Sequence, residues 1–137
     1  MRHVLFRLRG ERFAVPLSAV REVVPAPTGY TRVPRAPATI RGVMNLRGRV
    51  VTVLDTAALL ELPGEGAGTQ VLLLDAHRGG MGLLVGQVDG IGPLESFTPV
   101  NTRGPAVRTL AADAQGAIAV IDVDGLDAQV ARSLVHR

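Results

Sequence analysis

Two aspartates stand at matching ends of two apolar runs, Val53-Leu54-Asp55 and Val120-Ile121-Asp122. Paired carboxylates can divide general-acid and general-base work between them. Each of these, however, precedes a helix-prone stretch, where an aspartate accepts hydrogen bonds from the first free amides of a helix. Capping is the expected role of both. The other chemistry-bearing residues form no constellation. His3, His77 and His136 lie far apart in sequence, with no i, i+4 pairing or His/Asp cluster that would bind a metal. Ser18, Ser96 and Ser133 lie outside any Gly-x-Ser-x-Gly elbow. With no cysteine, there is no thiol nucleophile, disulfide or thiolate site. The glycines at 64–68 lack the lysine and the strand-to-helix context of a phosphate loop. The expectation is a protein without catalytic residues, cofactor or metal.

Arginine is the residue in surplus. All fifteen basic residues are arginine, against twelve acids, so the chain carries a net charge of +3. Without lysine there is no Schiff-base chemistry either. Residues 1–60 hold ten arginines against Glu11, Glu22 and Asp55, which gives +7; residues 61–137 hold five against nine acids, which gives −4. Oppositely charged halves could steer head-to-tail docking with related chains. A small basic barrel binding single-stranded nucleic acid is the rival class, but that chemistry needs exposed aromatic platforms. Of four aromatics, Phe6 and Phe13 fall on inward positions of an alternating pattern, leaving Tyr30 as the expected exposed one.

The elements that would position these residues are short. Glycine and proline, 16 and 9 residues, divide the chain too often for a helical bundle. Val4 to Arg9 and Arg12 to Val15 read as strands around Gly10-Glu11, with one helical turn following over Pro16 to Val20. The proline-rich stretch 25–37 reads as surface loop. Ile40 to Leu46 and Val50 to Leu54 are strand-like around an Arg47-Gly48 turn. Further strands are expected near 70–76, 81–88 and 117–122, then a helix from about Asp124 to Val135. Alternation places Val4, Phe6, Leu8, Val15, Val53, Leu72, Leu74, Leu83, Val85 and Val120 in one continuous apolar seam.

The order of these segments repeats. At an offset of 68 residues, Val4, Phe6, Phe13, Val15, Val20 and Val23 fall on Leu72, Leu74, Met81, Leu83, Val88 and Ile91. At 67, Ile40-Arg41-Gly42-Val43 falls on Val107-Arg108-Thr109-Leu110, and Val53-Leu54-Asp55 on Val120-Ile121-Asp122. A self-match that holds its offset over several blocks points to duplication of one supersecondary unit. Copy 1 spans about 3–61, a Gly-rich linker about 62–69, and copy 2 about 70–135; each is too small to be stable alone, so 1–137 is expected to fold as one domain. The start of the chain shows no signal-peptide pattern, and no run approaches the roughly 18 apolar residues of a membrane helix. A cytoplasmic protein with no membrane insertion is expected.

The segment Ile40-x-Gly42-Val43-Met44-Asn45-Leu46-Arg47-Gly48 resembles the signature of the CheW-like family of bacterial chemosensory coupling proteins. Phe13-Ala-Val-Pro-Leu-x-x-Val20-Arg-Glu22-Val and Gly86-Gln-Val88-Asp89-Gly90-Ile91 are similar to two further family elements. The resemblance implies two five-stranded barrels, SH3-like and OB-like, with strands exchanged between lobes and a short C-terminal helix. It implies a non-catalytic adaptor that couples chemoreceptor cytoplasmic tips to the regulatory domain of a CheA-like histidine kinase, in receptor arrays. An accessory scaffold competing with the main coupler is the variant reading. Partner contacts would fall on Val20, Glu22, Gly42, Asn45 and Arg47, with Gly42 admitting a receptor helix to a groove between lobes. Thr109 departs from the pattern, which has glycine there, and the 97–116 region is shortened.

Overall fold

A computed structural model describes residues 2–66, 68–75 and 80–135. Among them the strands are β1 (Arg2–Leu8), β2 (Glu11–Pro16), β3 (Val20–Pro25), β4 (Ile40–Leu46), β5 (Arg49–Asp55), β6 (Gln70–Leu74), β7 (Met81–Val85), β8 (Gln87–Pro93), β9 (Glu95–Pro99), β10 (Val107–Asp113) and β11 (Gly116–Ile121). A 3-10 turn occupies Leu17–Ala19; α1 is Thr56–Leu59 and α2 is Val123–Val135. Both aspartates cap: Asp55 Oδ1 accepts from the Ala58 amide at 3.1 Å and Asp122 Oδ1 from the Gly125 amide at 3.0 Å. His77, His136 and the expected end of a strand at Ala76 lie outside the described residues.

Two sheets result, one ordered β8-β1-β2-β11-β10-β9 and the other β3-β6-β7-β5-β4. Each therefore takes a hairpin from one half of the sequence and the remaining strands from the other half. The exchange is reciprocal in register. Phe13 and Ala14 run parallel to Ala119 and Val120, and Thr52 and Val53 run parallel to Met81 and Gly82. These are one contact repeated at the sequence offsets. Bulges repeat as well, between Leu5 and Phe6 opposite β8 and between Val20 and Glu22 opposite β6, then at Ile40/Gly42 and Val107/Thr109.

The lobes differ in one strand. Thr98 pairs with Leu110 within the β9–β10 ladder, and its counterpart Thr31 pairs with Val43 as a single bridge. Pro25, Pro27, Pro34 and Pro37 surround that bridge. Proline donates no backbone hydrogen bond, so the ladder cannot extend. The sheets thus have six and five strands, correcting the expectation of five in each. β9 and β10 arise in the alanine-rich stretch that shows little apolar alternation. The expected strand 81–88 is two strands: at Gly86, whose amide donates to Arg7 O at 2.9 Å, the chain crosses from one sheet to the other.

Eight of the ten residues expected in one seam share a single cluster, and Val53 belongs to a second. The larger joins both sheets and includes Val4, Phe6, Phe13, Val15, Leu72 and Leu83; the smaller holds Val24, Val51, Val53, Val71, Leu73 and Leu84 within the five-stranded sheet. Phe6 and Phe13 sit opposite one another in the β1–β2 ladder and stack at 5.5 Å between centroids, both essentially fully buried. Such a pair adds about 0.5–1.5 kcal/mol beyond its area burial. Nine of the ten expected core residues are buried. Val120 is only half-buried, because it lines a surface cleft beside Pro16, Ser18 and Thr109.

Candidate functional site

The family-signature segment folds into the β4–β5 hairpin. Leu46 pairs with Arg49, leaving a two-residue turn of Arg47 (φ 52°) and Gly48 (φ 81°). Positive φ at both central positions is what a right-twisted hairpin requires of so short a loop. Asn45 braces the turn by accepting the Gly48 amide on Oδ1 at 3.0 Å. Its first role is thus structural.

Arg47 points away from the turn, its side chain 66% exposed, and its Nη2 meets Glu22 Oε1 at 2.5 Å. Glu22 lies on β3 and Arg47 beside β4, the two opposite edges of the five-stranded sheet. The ion pair therefore closes the gap left where the sheet curls round. The hydrogen bond from Arg47, with its charge, holds the Glu22 carboxyl below the usual glutamate range. Val20 stands two residues before Glu22 across the β3 bulge, half-buried against the larger cluster.

Gly42 faces this chain's own loop. It is buried, and a Cβ there would lie 2.7 Å from Tyr30 Cβ and 2.8 Å from Thr31 O. The close approach it permits is that of this chain's own loop, fastened by Thr31 N to Val43 O and Val43 N to Thr31 O, both 2.9 Å. The room expected for a receptor helix beside Gly42 is thus taken by this loop within the chain itself. Tyr30 is half-buried, with Arg41 5.7 Å from its ring centroid, and burial raises its hydroxyl pKa. Phe97, 53% exposed, is the exposed aromatic in place of Tyr30.

A second hairpin shows what a bracing arginine looks like. Leu8-Arg9-Gly10 repeats Leu46-Arg47-Gly48, with Arg9 at φ 52° and Gly10 at 79°. Arg9 donates to Leu62 O at 2.9 Å and Gly66 O at 3.1 Å, fastening the Gly-rich segment. The repeated Leu-Arg-Gly was present in the sequence and marked this residue. Part of the charge asymmetry of the halves is matched within the molecule. Arg7 pairs with Asp89 at 2.9 Å, Arg12 with Asp113 at 2.6 Å and Arg103 with Glu11 at 2.5 Å, each linking one half to the other. Strand exchange brings those charges together within the molecule; Arg103 and Glu11 pair in the opposite sense, an arginine of the acidic half with an acid of the basic half. The Arg12 hydrogen bond, with the Gln115 amide, lowers the Asp113 carboxyl to about 2.

The geometry defines a class first: a two-lobed, strand-exchanged β domain whose polar tip is a hairpin tied to the opposite sheet edge. The chain belongs to the CheW-like domain family, whose model matches residues 2–129. A probable chemotaxis protein CheW from Rhizobium etli is 36% identical over 90 residues, covering 64% of this chain and 57% of that protein. Protein PilI from Pseudomonas aeruginosa is 32% identical over 97 residues, 68% of this chain and 54% of that protein. These matches thus span little more than half the length of those relatives. The crystal structure of the scaffolding protein TtCheW from Thermoanaerobacter tengcongensis superposes with a TM-score of 0.76 at 26% identity, covering 88% of each chain.

Proposed function

We propose that this protein is a non-catalytic adaptor that couples the cytoplasmic tips of chemoreceptors to the regulatory domain of a CheA-like histidine kinase. The observation that carries this reading is the likeness, over 88% of both chains, to a protein described as a scaffold. The hairpin tip supplies the contact surface. Arg47 and Glu22 offer a fork of donors and a carboxylate at the surface, with Asn45 holding the turn and Val20 an apolar neighbour. Gly42 contributes indirectly, by seating the Tyr30–Thr31 loop against β4. An arginine paired to a carboxylate can exchange that partner for one on another protein without being left buried and unpaired.

Work in the cytoplasm, beside receptor arrays, belongs to the same proposal; among the described residues no helix is long and apolar enough to cross a membrane. Nucleic-acid binding is not favoured. The exposed aromatic, Phe97, shares β9 with Glu95, where the backbone of a nucleic acid would meet a carboxylate. The test is a paired titration with the kinase regulatory domain and with a single-stranded oligonucleotide, each at two salt concentrations. Saturable kinase binding supports the adaptor. Salt-sensitive oligonucleotide binding with no kinase response overturns it.

A further inference from the structure

Two ionic side chains of opposite sign, Glu61 and Arg132, line one cleft, and neither has an ion pair among the described residues. The cleft lies where the two copies meet. Copy 1 supplies Glu11 at the start of β2 and residues 60–63 after α1; copy 2 supplies the 102–105 loop, Val107 and the α2 residues Gln129 and Arg132. Its volume is about 390 Å³, within the roughly 300–1,000 Å³ of small-molecule sites. None of its lining belongs to β3, β4 or β5, so it is separate from the Arg47 hairpin.

The walls are held in place from both sides. Gln129 Nε2 donates to Leu59 O at 2.7 Å, tying α2 to the end of α1. Arg103 Nη2 meets Glu11 Oε2 at 2.5 Å, tying the loop to β2, and Arg9 holds Leu62 O at 2.9 Å. Gly125 lets α2 press on the same loop, since a Cβ there would lie 1.7 Å from Pro105 O. A helical side chain leans over the preceding turn, so Arg132 covers the Gln129 side of α2 and not its end. The lining is of two kinds. Leu60, Leu62 and Val107 are apolar ground. With Arg103 and Glu11 satisfied by each other, one guanidinium and one carboxylate remain to take a ligand. Gln129 Oε1 adds a buried acceptor with no hydrogen-bond partner, tucked under Gly104.

We propose that this cleft binds a free aliphatic α-amino acid. The ligand carboxylate takes the fork of Arg132, and its ammonium takes Glu61. A small shift of the 102–105 loop brings Gln129 Oε1 the donor it lacks. The aliphatic side chain rests on Leu62 and Val107, where loss of contact with water supplies the attraction. The site stands independently of the adaptor reading.

The test is a titration of the full chain, labelled with ¹⁵N, with L-leucine and with three analogues that each lack one element. Isocaproate lacks the ammonium, isoamylamine the carboxylate, and free glycine the side chain. L-leucine should produce saturable shifts at the amides of Leu62, Gly104, Val107 and Gln129. Isocaproate and isoamylamine should bind about tenfold more weakly or worse, because each leaves a charged group of the site unpaired. Free glycine should also be about tenfold weaker, for want of apolar contact. Arg132→Ala and Glu61→Gln, both at exposed positions, should each weaken L-leucine binding about tenfold while the rest of the spectrum stays in place, which separates a lost contact from a lost fold. Absence of saturation, shifts mapping to another face, equal response to any analogue, or full binding by both variants would overturn the proposal.

Discussion

Replacing Gly42 with alanine should damage the fold before it touches any partner. The glycine sits at φ +150°, and the added carbon would approach Tyr30 Cβ to 2.7 Å and the Thr31 carbonyl to 2.8 Å. Neither neighbour is the free end of a flexible side chain, so the loop must withdraw. Withdrawal breaks the two 2.9 Å hydrogen bonds between Thr31 and Val43, together about 1–3 kcal/mol. Backbone strain at such a φ costs on the order of 1–3 kcal/mol when it is not relieved. The loop can relieve part of one cost by accepting the other, so the expected loss is about 2–4 kcal/mol. For a chain of this size that lowers Tm by roughly 8–15 °C. Differential scanning calorimetry reads it directly, and native-state hydrogen exchange should show the Thr31 and Val43 amides losing protection first. At the matching bulge of the other lobe Thr109 carries a side chain and does not have positive φ, so Thr109→Ala should change Tm by less than about 3 °C, as ordinary substitutions do. A Gly42→Ala protein that melts within 2 °C of the parent while losing receptor or kinase binding would refute this reasoning, and would restore Gly42 to the interface.

Arg47→Ala should leave Tm nearly unchanged, because the pair with Glu22 is exposed and such pairs add little stability; receptor or kinase binding should fall about thirtyfold, as at an interface arginine. Arg47→Lys keeps the charge and loses the fork, so a comparable binding loss would show that geometry matters. Arg9→Ala should do the reverse, costing about 1–3 kcal/mol by leaving the Leu62 and Gly66 carbonyls without their donor, with binding intact. Asp113 has its carboxyl lowered from 3.8 to about 2, chiefly by the Arg12 hydrogen bond. Its contribution is present above the unfolded-state value and is lost as pH falls from about 4 towards 2, so Asp113→Asn should melt below the parent at pH 7 and converge with it near pH 2. Phe6→Ala should destabilise by about 3–5 kcal/mol, measured by urea denaturation, because the stacked Phe13 across the ladder cannot collapse into the space.

The parts of this fold legible in the sequence are those where periodicity and burial agree. Val4, Phe6 and Leu8 alternate on β1, and all three are buried. The offsets of 68 and 67 carried over to ladder registers because one pairing scheme serves both halves. β9 and β10 escaped because they are nearly all exposed or rich in alanine, so no apolar face marked them. Val120 keeps the alternation, yet it ends on a cleft, a matter of how the lobes meet and not of local pattern. At the site, the Arg47-Gly48 turn was readable from residue types, whereas the pairing of Arg47 with Glu22 depends on the curl that brings two sheet edges together. Gly42 was readable as a glycine needing room; what occupies that room, Tyr30 and Thr31, lies eleven or more residues away along a proline-rich loop.

The coupling role is tested most directly by asking whether two partners are held at once. The protein, a CheA-like kinase regulatory domain and a soluble receptor-tip hairpin are mixed pairwise and together, and the complexes sized by sedimentation velocity. The account predicts a ternary species larger than either pair, reduced by Arg47→Ala without change in the protein's own fold. Binding that is mutually exclusive, or absent for both partners, would contradict it.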